Sequence, residues 1–238
     1  MRYFTFLFVL FFVSCAIPEK KLSGKELLEK SIQKHDPKNQ WNTAEFTLRI
    51  QEPRLSNPPR FSVVYMNNQN NAFKLLRSRE DKVASYGINA EGVTTVLLEN
   101  QAVEDSSTID RYMLQNKRVK SYQGFYQMLL GLPMSLNEKT LANVGVASKT
   151  TFNDKDAYQV QIQLKKPVFS DVWNLYISKD DFTLLGIEMI FPDEPNKGER
   201  LYFEKSIQIG EISIPRIRHW YELDNTYSGS DVIVKKLE

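Results

Sequence analysis

The sequence predicts a mainly β fold of the α+β class: a curved, antiparallel, half-open β-barrel of roughly a dozen strands, with an N-terminal helix and an inserted plug helix. Three observations predict it. Short segments alternate between apolar and polar residues, which is typical of antiparallel strands with one buried face. Clusters of Asn, Gly and Asp separate these segments, as expected for hairpin turns. Residues 23–36 and 107–130 instead show the spacing of amphipathic helices.

The first helix is predicted to begin after Ser23, which is a suitable N-cap because Glu26 follows three residues later. The helix is predicted to end at Asp36-Pro37, since the residue before a proline avoids the helical region. Its apolar face is formed by Leu27, Leu28 and Ile32.

Strand periodicity begins at Trp41 and resumes after the second helical segment. The clearest strand is 157–165, in which Tyr, Val, Ile and Leu alternate with Gln and Lys. One face of this strand is therefore expected to be buried and the other solvated. The predicted strands are 45–50, 61–65, 73–75, 83–88, 93–98, 101–104, 145–152, 157–165, 171–178, 183–191, 199–208, 211–222 and 231–237.

The inserted plug helix is predicted over residues 112–130. Gly131 stands at the C′ position, where glycine commonly ends a helix, and Pro133 prevents its continuation. The apolar face of this helix consists of Val119, Tyr122, Phe125, Tyr126, Leu129 and Leu130.

A sheet of this width is expected to curl, because strand twist accumulates and sheets beyond ~10 strands do not stay flat. Curling leaves a concave apolar face that the side chains of the strands cannot fill alone. Helix 112–130 is the segment that can cover this face. Because neither set of strands has a helical cover of its own, residues 25–238 are predicted to form a single domain.

Residues 1–14 are predicted to be a lipoprotein signal peptide. Arg2 supplies the positive charge, and residues 3–13 form an eleven-residue apolar run. This run has the length of an export signal and is well short of the ~20 residues needed to span a bilayer.

Cys15 follows this run and is the single cysteine of the chain, so it cannot form an internal disulfide. Phe12, Ser14 and Cys15 resemble the lipobox of bacterial lipoproteins, whose cysteine carries acyl chains such as palmitate. We expect acylated Cys15 to anchor the protein to a membrane and residues 15–24 to act as a tether. An ordinary secretory signal with an incidental cysteine is the alternative.

The charge pattern argues against nucleic acid as a partner. The chain has 31 Lys and Arg residues against 29 Asp and Glu residues, a formal net charge of +2. These charges are interspersed, whereas nucleic-acid binding needs a concentrated basic face. The 42% of hydrophobic residues are sufficient for a core.

No motif of catalysis, metal binding or cofactor binding is recognisable, so we expect a protein that is not an enzyme and has no cofactor or metal. His35 is interpreted as a capping residue at a helix C-terminus, and His219 as a residue of a strand face in contact with water. The acid pairs 180–181 and 193–194 fall in predicted turns, where solvated carboxylates are common.

Two stretches carry a resemblance to a known group of proteins. They are Leu28-Glu-Lys-Ser-Ile-Gln-Lys-His-Asp-Pro-Lys-Asn-Gln-Trp41 and Tyr122-Gln-Gly-Phe-Tyr-Gln-Met-Leu-Leu-Gly-Leu-Pro-Met-Ser-Leu136. With the predicted fold, they resemble a family of uncharacterised bacterial envelope lipoproteins within the LolA/LolB-like superfamily of lipoprotein carriers and receptors. The resemblance covers most of residues 22–237. It implies a half-barrel around a hydrophobic cavity that holds acyl chains or another apolar ligand.

From this resemblance we expect a non-catalytic lipoprotein that binds a lipid or acyl chain in its half-barrel. We expect it in the envelope of a diderm bacterium, at the outer membrane and facing the periplasm, since Ala16 and not Asp follows the cysteine. A scaffold lipoprotein with a packed core and a hydrolase using carboxylates are the alternatives. The candidate cavity residues are Phe46, Leu48, Phe61, Val63, Tyr122, Phe125, Tyr126, Leu129 and Leu130.

Overall fold

The computed structural model describes residues 22–191 and 193–237, except the side chain of Pro195. The predicted signal peptide 1–14, Cys15 and most of the tether lie outside the described residues. Within them, twelve strands form one antiparallel sheet. The strands are β1 (Glu45–Glu52), β2 (Arg60–Asn67), β3 (Ala72–Arg79), β4 (Lys82–Ile88), β5 (Thr94–Leu98), β6 (Leu141–Phe152), β7 (Lys155–Val168), β8 (Ser170–Ser178), β9 (Leu184–Phe191), β10 (Glu194–Ile209), β11 (Ile212–Glu222) and β12 (Tyr227–Leu237).

The sheet is a curved meander with one long-range pairing. The strand order is β5-β4-β3-β2-β1-β12-β11-β10-β9-β8-β7-β6. Strands that are consecutive in the chain, apart from β5 and β6, therefore pair with each other, and the one additional pairing in this sheet joins β1 to β12. Ile50 of β1 lies opposite Ile233 of β12, next to a bulge. β5 and β6 form the two edges and do not pair with each other. The predicted half-open barrel of about a dozen strands is therefore confirmed.

The strand predicted at 101–104 is absent. Gln101 forms only an isolated bridge with Leu98, and the following residues lead into a short helix. The clear alternation of β7 is confirmed, since Val160, Ile162 and Leu164 are all buried.

The N-terminal helix α1 (Gly24–His35) has the predicted capping box. The Glu26 amide donates to Ser23 Oγ at 3.2 Å, and the Ser23 amide donates to Glu26 Oε2 at 2.8 Å. Leu27 and Leu28 are buried against the sheet. His35 does not cap α1: its Nδ1 donates to the Ser213 carbonyl at 2.7 Å, and its Nε2 accepts from the Leu184 amide at 3.0 Å.

The inserted segment contains two helices, α2 (Ser106–Arg111) and α3 (Lys117–Leu130), instead of one helix over 112–130. The chain turns between them at Met113, which has a φ of 56°. Gly131 follows α3 as predicted, but its φ of −86° is not left-handed. A Cβ there would lie 2.4 Å from Cζ2 of Trp41, so glycine is required for close packing and not for a turn.

α3 packs on the concave face of the sheet and contacts both of its halves. Tyr126 and Leu130 belong to a buried cluster with residues of β1–β5 and β10–β12. Met128 and Leu129 belong to a second cluster with residues of β6–β11 and α1. The predicted position of the plug helix is therefore confirmed. Both clusters consist of residues after the tether, so residues 22–237 contain their own core.

Candidate functional site

A cavity of about 370 Å³ lies between α3 and the middle strands of the sheet. One part of its lining, the apolar wall, is apolar, and another part, the charged wall, carries charged groups from β1, β2, β3, β10, β11, β12 and the loop after β1. The apolar wall consists of Ile50, Phe125, Leu129, Leu130, Phe169 and Trp220. The charged side chains are Glu52, Arg54, Arg60, Arg77, Glu199, Arg218 and Asp231.

Five of the nine predicted cavity residues line this space. They are Tyr122, Phe125, Tyr126, Leu129 and Leu130. Phe46 and Leu48 point to the same side of β1 but are buried in the first core cluster, where the ring of Trp41 lies 5.9 Å from that of Phe46. The next inward residues of the strand, Ile50 and Glu52, line the cavity in their place.

The prediction that Phe61 and Val63 face the cavity is wrong. The inward residues of β2 are Ser62, Val64 and Met66, which are buried, while Phe61 is 42% exposed. The Phe61 ring packs under the guanidinium of Arg49 on the other side of the sheet. Because β2 carries apolar residues on both faces, alternation alone does not show which set is inward.

Glu52 is the centre of a buried network on the charged wall. Its Oε1 accepts from Arg77 Nη2 at 3.2 Å and from Ser62 Oγ at 2.5 Å. Its Oε2 lies 2.8 Å from Arg60 Nη2 and 3.7 Å from Arg54 Nη2. Burial opposes ionisation of Glu52, but the guanidinium groups and Ser62 outweigh it and lower its pKa.

Asp231 is a second acid of the charged wall, half-buried, with partners for both of its oxygens. Its Oδ1 accepts from Arg54 Nη2 at 2.6 Å, and its Oδ2 accepts from the Trp220 indole N–H at 2.9 Å. Both oxygens are therefore engaged. These bonds fix Arg54 at the border between the charged and apolar walls.

Arg218 has no such partner. It lies on β11, directly opposite Asp231 of β12, and its side chain is only 2% exposed. Within the described residues, none of its three nitrogens makes a hydrogen bond. Burial lowers the pKa of Arg218 to about 10, so the group remains ionised at neutral pH. The sequence contained an indication of this inward arginine. Consecutive residues of β11 face opposite sides of the sheet, and His219 is predicted to be on the solvated side.

α3 is attached to the charged wall by its tyrosines. The Tyr126 hydroxyl accepts from Arg77 Nη2 at 2.5 Å, and the Tyr122 hydroxyl accepts from Arg79 Nη2 at 2.9 Å. Burial raises the pKa of Tyr126 to about 12, so its hydroxyl stays protonated. Polar tips on largely buried rings thus position the helix over the cavity.

Three aromatic rings border the apolar side of the cavity. Phe169, in the turn between β7 and β8, is 58% exposed and has a φ of 63°. Its ring lies edge-on to Phe125 at 5.4 Å and to Trp220 at 6.4 Å. An apolar chain that enters here would contact aromatic rings on α3, on the turn between β7 and β8, and on β11.

The other candidate groups do not form a site. His219 lies with Glu204 at 3.2 Å and Ser230 at 2.8 Å, outside the cavity. Asp181 pairs with Lys34 at 3.0 Å in the turn after β8. No group of His, Cys, Asp and Glu side chains suited to a metal ion occurs in the part of the chain that the structure describes. In the same part, no helix is both long and apolar enough to cross a membrane.

The unclosed antiparallel sheet with α3 on its concave side is a LolA-like fold, and solved structures share it at low sequence identity. A LolA superfamily protein from Nitrosomonas europaea has a TM-score of 0.52 and 9% identity, over 90% of this chain and 93% of that one. A domain described as an outer membrane lipoprotein-sorting protein from Vibrio parahaemolyticus has a TM-score of 0.53 and 11% identity, over 90% and 92%. A DUF1329 family protein from Desulfovibrio piger has a TM-score of 0.50 and 11% identity, over 89% and 91%.

The chain belongs to a family of unknown function, DUF6503, whose model matches residues 1–197. Comparison with curated proteins finds no match.

Proposed function

We propose that this protein is a lipid-anchored envelope protein that binds the apolar chain of a lipid between its sheet and α3, without catalysing a reaction. The observation that carries the proposal is the cavity of about 370 Å³ with its apolar wall. Concave, mainly apolar spaces of this size are the usual sites of small ligands. Burial of an acyl chain there would provide about 25 cal/mol for each Å² of apolar surface removed from water.

The predicted anchor and location are part of this proposal. The apolar run 3–13 followed by Cys15 supports export and acylation. The similarity of the fold to a lipoprotein-sorting domain supports a place in the envelope and an acylated or lipid ligand. Two or more acyl chains on Cys15 would hold the domain stably at the membrane surface.

The cavity distinguishes this function from the scaffold alternative, which requires a packed interior. The hydrolase alternative requires a histidine and two acids in one cleft. His219 instead pairs with the exposed Glu204 outside the cavity.

The binding function is tested by expressing residues 22–238 and analysing organic extracts of the purified protein by mass spectrometry. We expect co-purified lipid in the unmodified protein. Ser121→Trp should reduce it strongly, because this residue lines the cavity and is exposed at its border. Lys120→Trp, on an exposed position outside the cavity, is the matched control. Absence of lipid together with no binding of a fluorescent fatty acid would refute the proposal.

The anchor is tested separately with the full chain. Cells grown with an alkyne analogue of palmitate should label the protein, and Cys15→Ser should abolish the label. Equal labelling of both proteins would exclude Cys15 as the acylated residue.

A further inference from the structure

Arg218 is a buried cation whose guanidinium has no acceptor within the described residues. The charge of Asp231 acts on Arg218 only at a distance, without a hydrogen bond. An ionised group whose N–H donors are unsatisfied in a protein interior is unfavourable. Buried arginines are therefore normally paired with a carboxylate or with carbonyl oxygens. Arg218 departs from this rule at the wall of the cavity.

The nearest candidate partner in register is already occupied. Asp231 lies opposite Arg218 on β12, but its two oxygens accept from Arg54 and from Trp220. Glu52 is likewise engaged by Arg77, Arg60 and Arg54. Asp231 and Glu52 are thus held by other donors.

The cavity lining as a whole has an excess of positive charge. Four guanidinium groups face three carboxylates, which leaves a net charge of +1 when every acid is ionised. Glu199, the third acid, has an Oε2 without a hydrogen-bond partner and lies opposite Glu222, and burial and the charge of Glu222 raise its pKa. A single negative charge would make the lining neutral.

The apolar and charged walls face the same space. Phe125, Phe169 and Trp220 border the cavity on one side, and Arg218 lies beside Trp220 on the same strand, two residues away. A chain that packs against the rings would therefore bring its polar end to the guanidinium. The nitrogens of Arg218 have almost no solvent contact, so a neighbouring side chain must shift when the anion arrives.

We propose that the cavity selects amphiphiles with one negatively charged oxyanion at the end of an acyl chain, and that Arg218 binds this oxyanion. The proposal rests on the lipid-binding function above and adds the chemical class of the headgroup. A guanidinium can donate two parallel N–H bonds to a carboxylate or a phosphodiester. The low dielectric of the buried site strengthens that interaction relative to water.

The test uses the full chain anchored in nanodiscs of phosphatidylcholine, which carries no net charge. Three photoreactive probes of equal chain length are compared: a diazirine fatty acid, the corresponding fatty alcohol, and a diazirine phosphatidylglycerol. Cross-linked peptides are located by mass spectrometry. We expect the anionic probes to label peptides of α3 and β11 about tenfold or more above the alcohol, because a charge-assisted hydrogen bond is worth about 1.5–3 kcal/mol. Comparison of the two anionic probes distinguishes a carboxylate from a phosphodiester.

Three variants identify the role of Arg218. Arg218→Met should reduce the labelling by the anionic probes to the level of the alcohol and leave the alcohol labelling unchanged. Arg218→Lys keeps the charge and should retain the preference for anionic probes. Arg216→Met, an exposed arginine on the same strand, is the control and should behave like the unmodified protein.

The outcomes separate the two proposals. Equal labelling of the cavity by the alcohol and the anionic probes would overturn the headgroup assignment and leave lipid binding intact. A preference for anionic probes that survives in Arg218→Met would also overturn it. If none of the probes labels the cavity, the proposed function fails as well.

Discussion

Arg218 and Glu52 are both buried and ionised in the cavity wall, and their surroundings are opposite. Glu52 lies within 4 Å of three guanidinium groups, whereas Arg218 has no hydrogen-bond acceptor among the described residues. Glu52 therefore stabilises the folded wall as long as it is ionised. Arg218 destabilises the wall until an anion binds.

We predict that Arg218→Met raises the free energy of unfolding of the ligand-free protein by about 1–3 kcal/mol, the cost of a buried hydrogen-bonding group that is left unsatisfied. The reason is that the methionine removes the cost of burying an unpartnered cation and fills a similar volume. Urea denaturation of lipid-extracted protein measures the change. Arg216→Met, which alters an exposed side chain, should change the free energy of unfolding far less. A clear destabilisation by Arg218→Met would show that the Arg218 guanidinium has a partner.

Glu52→Gln tests the opposite case. Because the pKa of Glu52 is lowered in the folded protein, its contribution is fully present above the unfolded pKa of 4.5 and is lost as the pH falls through the folded pKa. We expect a loss of about 3–5 kcal/mol at pH 7, since three guanidinium groups lose their counter-charge. The difference in the free energy of unfolding between Glu52→Gln and the unmodified protein should decrease under strongly acidic conditions. Glu45→Gln, an exposed position on the same strand, should have little effect at any pH.

At the scale of one element, α3 has one glycine directly after it, Gly131, and one within it, Gly124, in contrasting environments. A Cβ at Gly131 would lie 2.4 Å from the Trp41 ring and 2.6 Å from the Gln127 carbonyl oxygen. A Cβ at Gly124 would have no atom within 4 Å. The first glycine permits the end of α3 to pack on Trp41, while the second only increases the flexibility of the unfolded chain.

These two positions form a matched pair of alanine variants. Gly131→Ala should destabilise the protein by about 1–3 kcal/mol through overpacking. Gly124→Ala should stabilise it by about 0.5–1 kcal/mol, because alanine loses less conformational entropy in a helix. Thermal unfolding followed by circular dichroism compares them. Similar effects of both substitutions would contradict the packing of Trp41 against the end of α3.

At the scale of the whole molecule, the two halves of the sheet are joined by the β1–β12 ladder and by α3. The first hydrophobic cluster includes residues of β1–β5 and also of β10–β12, and the second includes residues of β6–β11. Trp41 belongs to the first cluster, and Trp173 and Trp220 belong to the second. The tryptophans thus allow each cluster to be observed separately.

We predict a single cooperative unfolding transition, in agreement with the expected single domain of residues 25–238. One variant keeps only Trp41 (Trp173→Phe and Trp220→Phe), and another keeps only Trp173 (Trp41→Phe and Trp220→Phe). In each variant the fluorescence midpoint in urea should coincide with the midpoint from far-UV circular dichroism. Two separate midpoints in either variant would show that the two hydrophobic clusters unfold independently.

Much of the secondary structure follows from local patterns. The capping box of Ser23 and Glu26 starts α1, and the alternation in 157–165 forms a strand with one buried face. The inward face of β2 was not predictable, because Phe61 and Val63 are as apolar as Val64 and Met66. Its register with β1, in which Glu52 lies opposite Arg60, determines which set is inward.

The cavity was predictable in part. The helical spacing of Tyr122, Phe125 and Tyr126 identified the side of α3 that borders it. The charged wall was missed because its members come from six strands and one loop, which are spread from residue 52 to residue 231 of the chain. Arg218 carried a local signal, the alternation with His219, but a single inward arginine does not show whether it has a partner.

The sequence by itself determined the antiparallel hairpins, the two amphipathic helical segments and the apolar run before Cys15, because these depend on neighbours a few residues apart. Only the tertiary structure decided the pairing of β1 with β12, the burial of Arg218 without an acceptor, and the space left under α3. These features depend on side chains that the curvature of the sheet brings together from distant strands. The periodicity of the local sequence does not indicate which charged side chains will be neighbours.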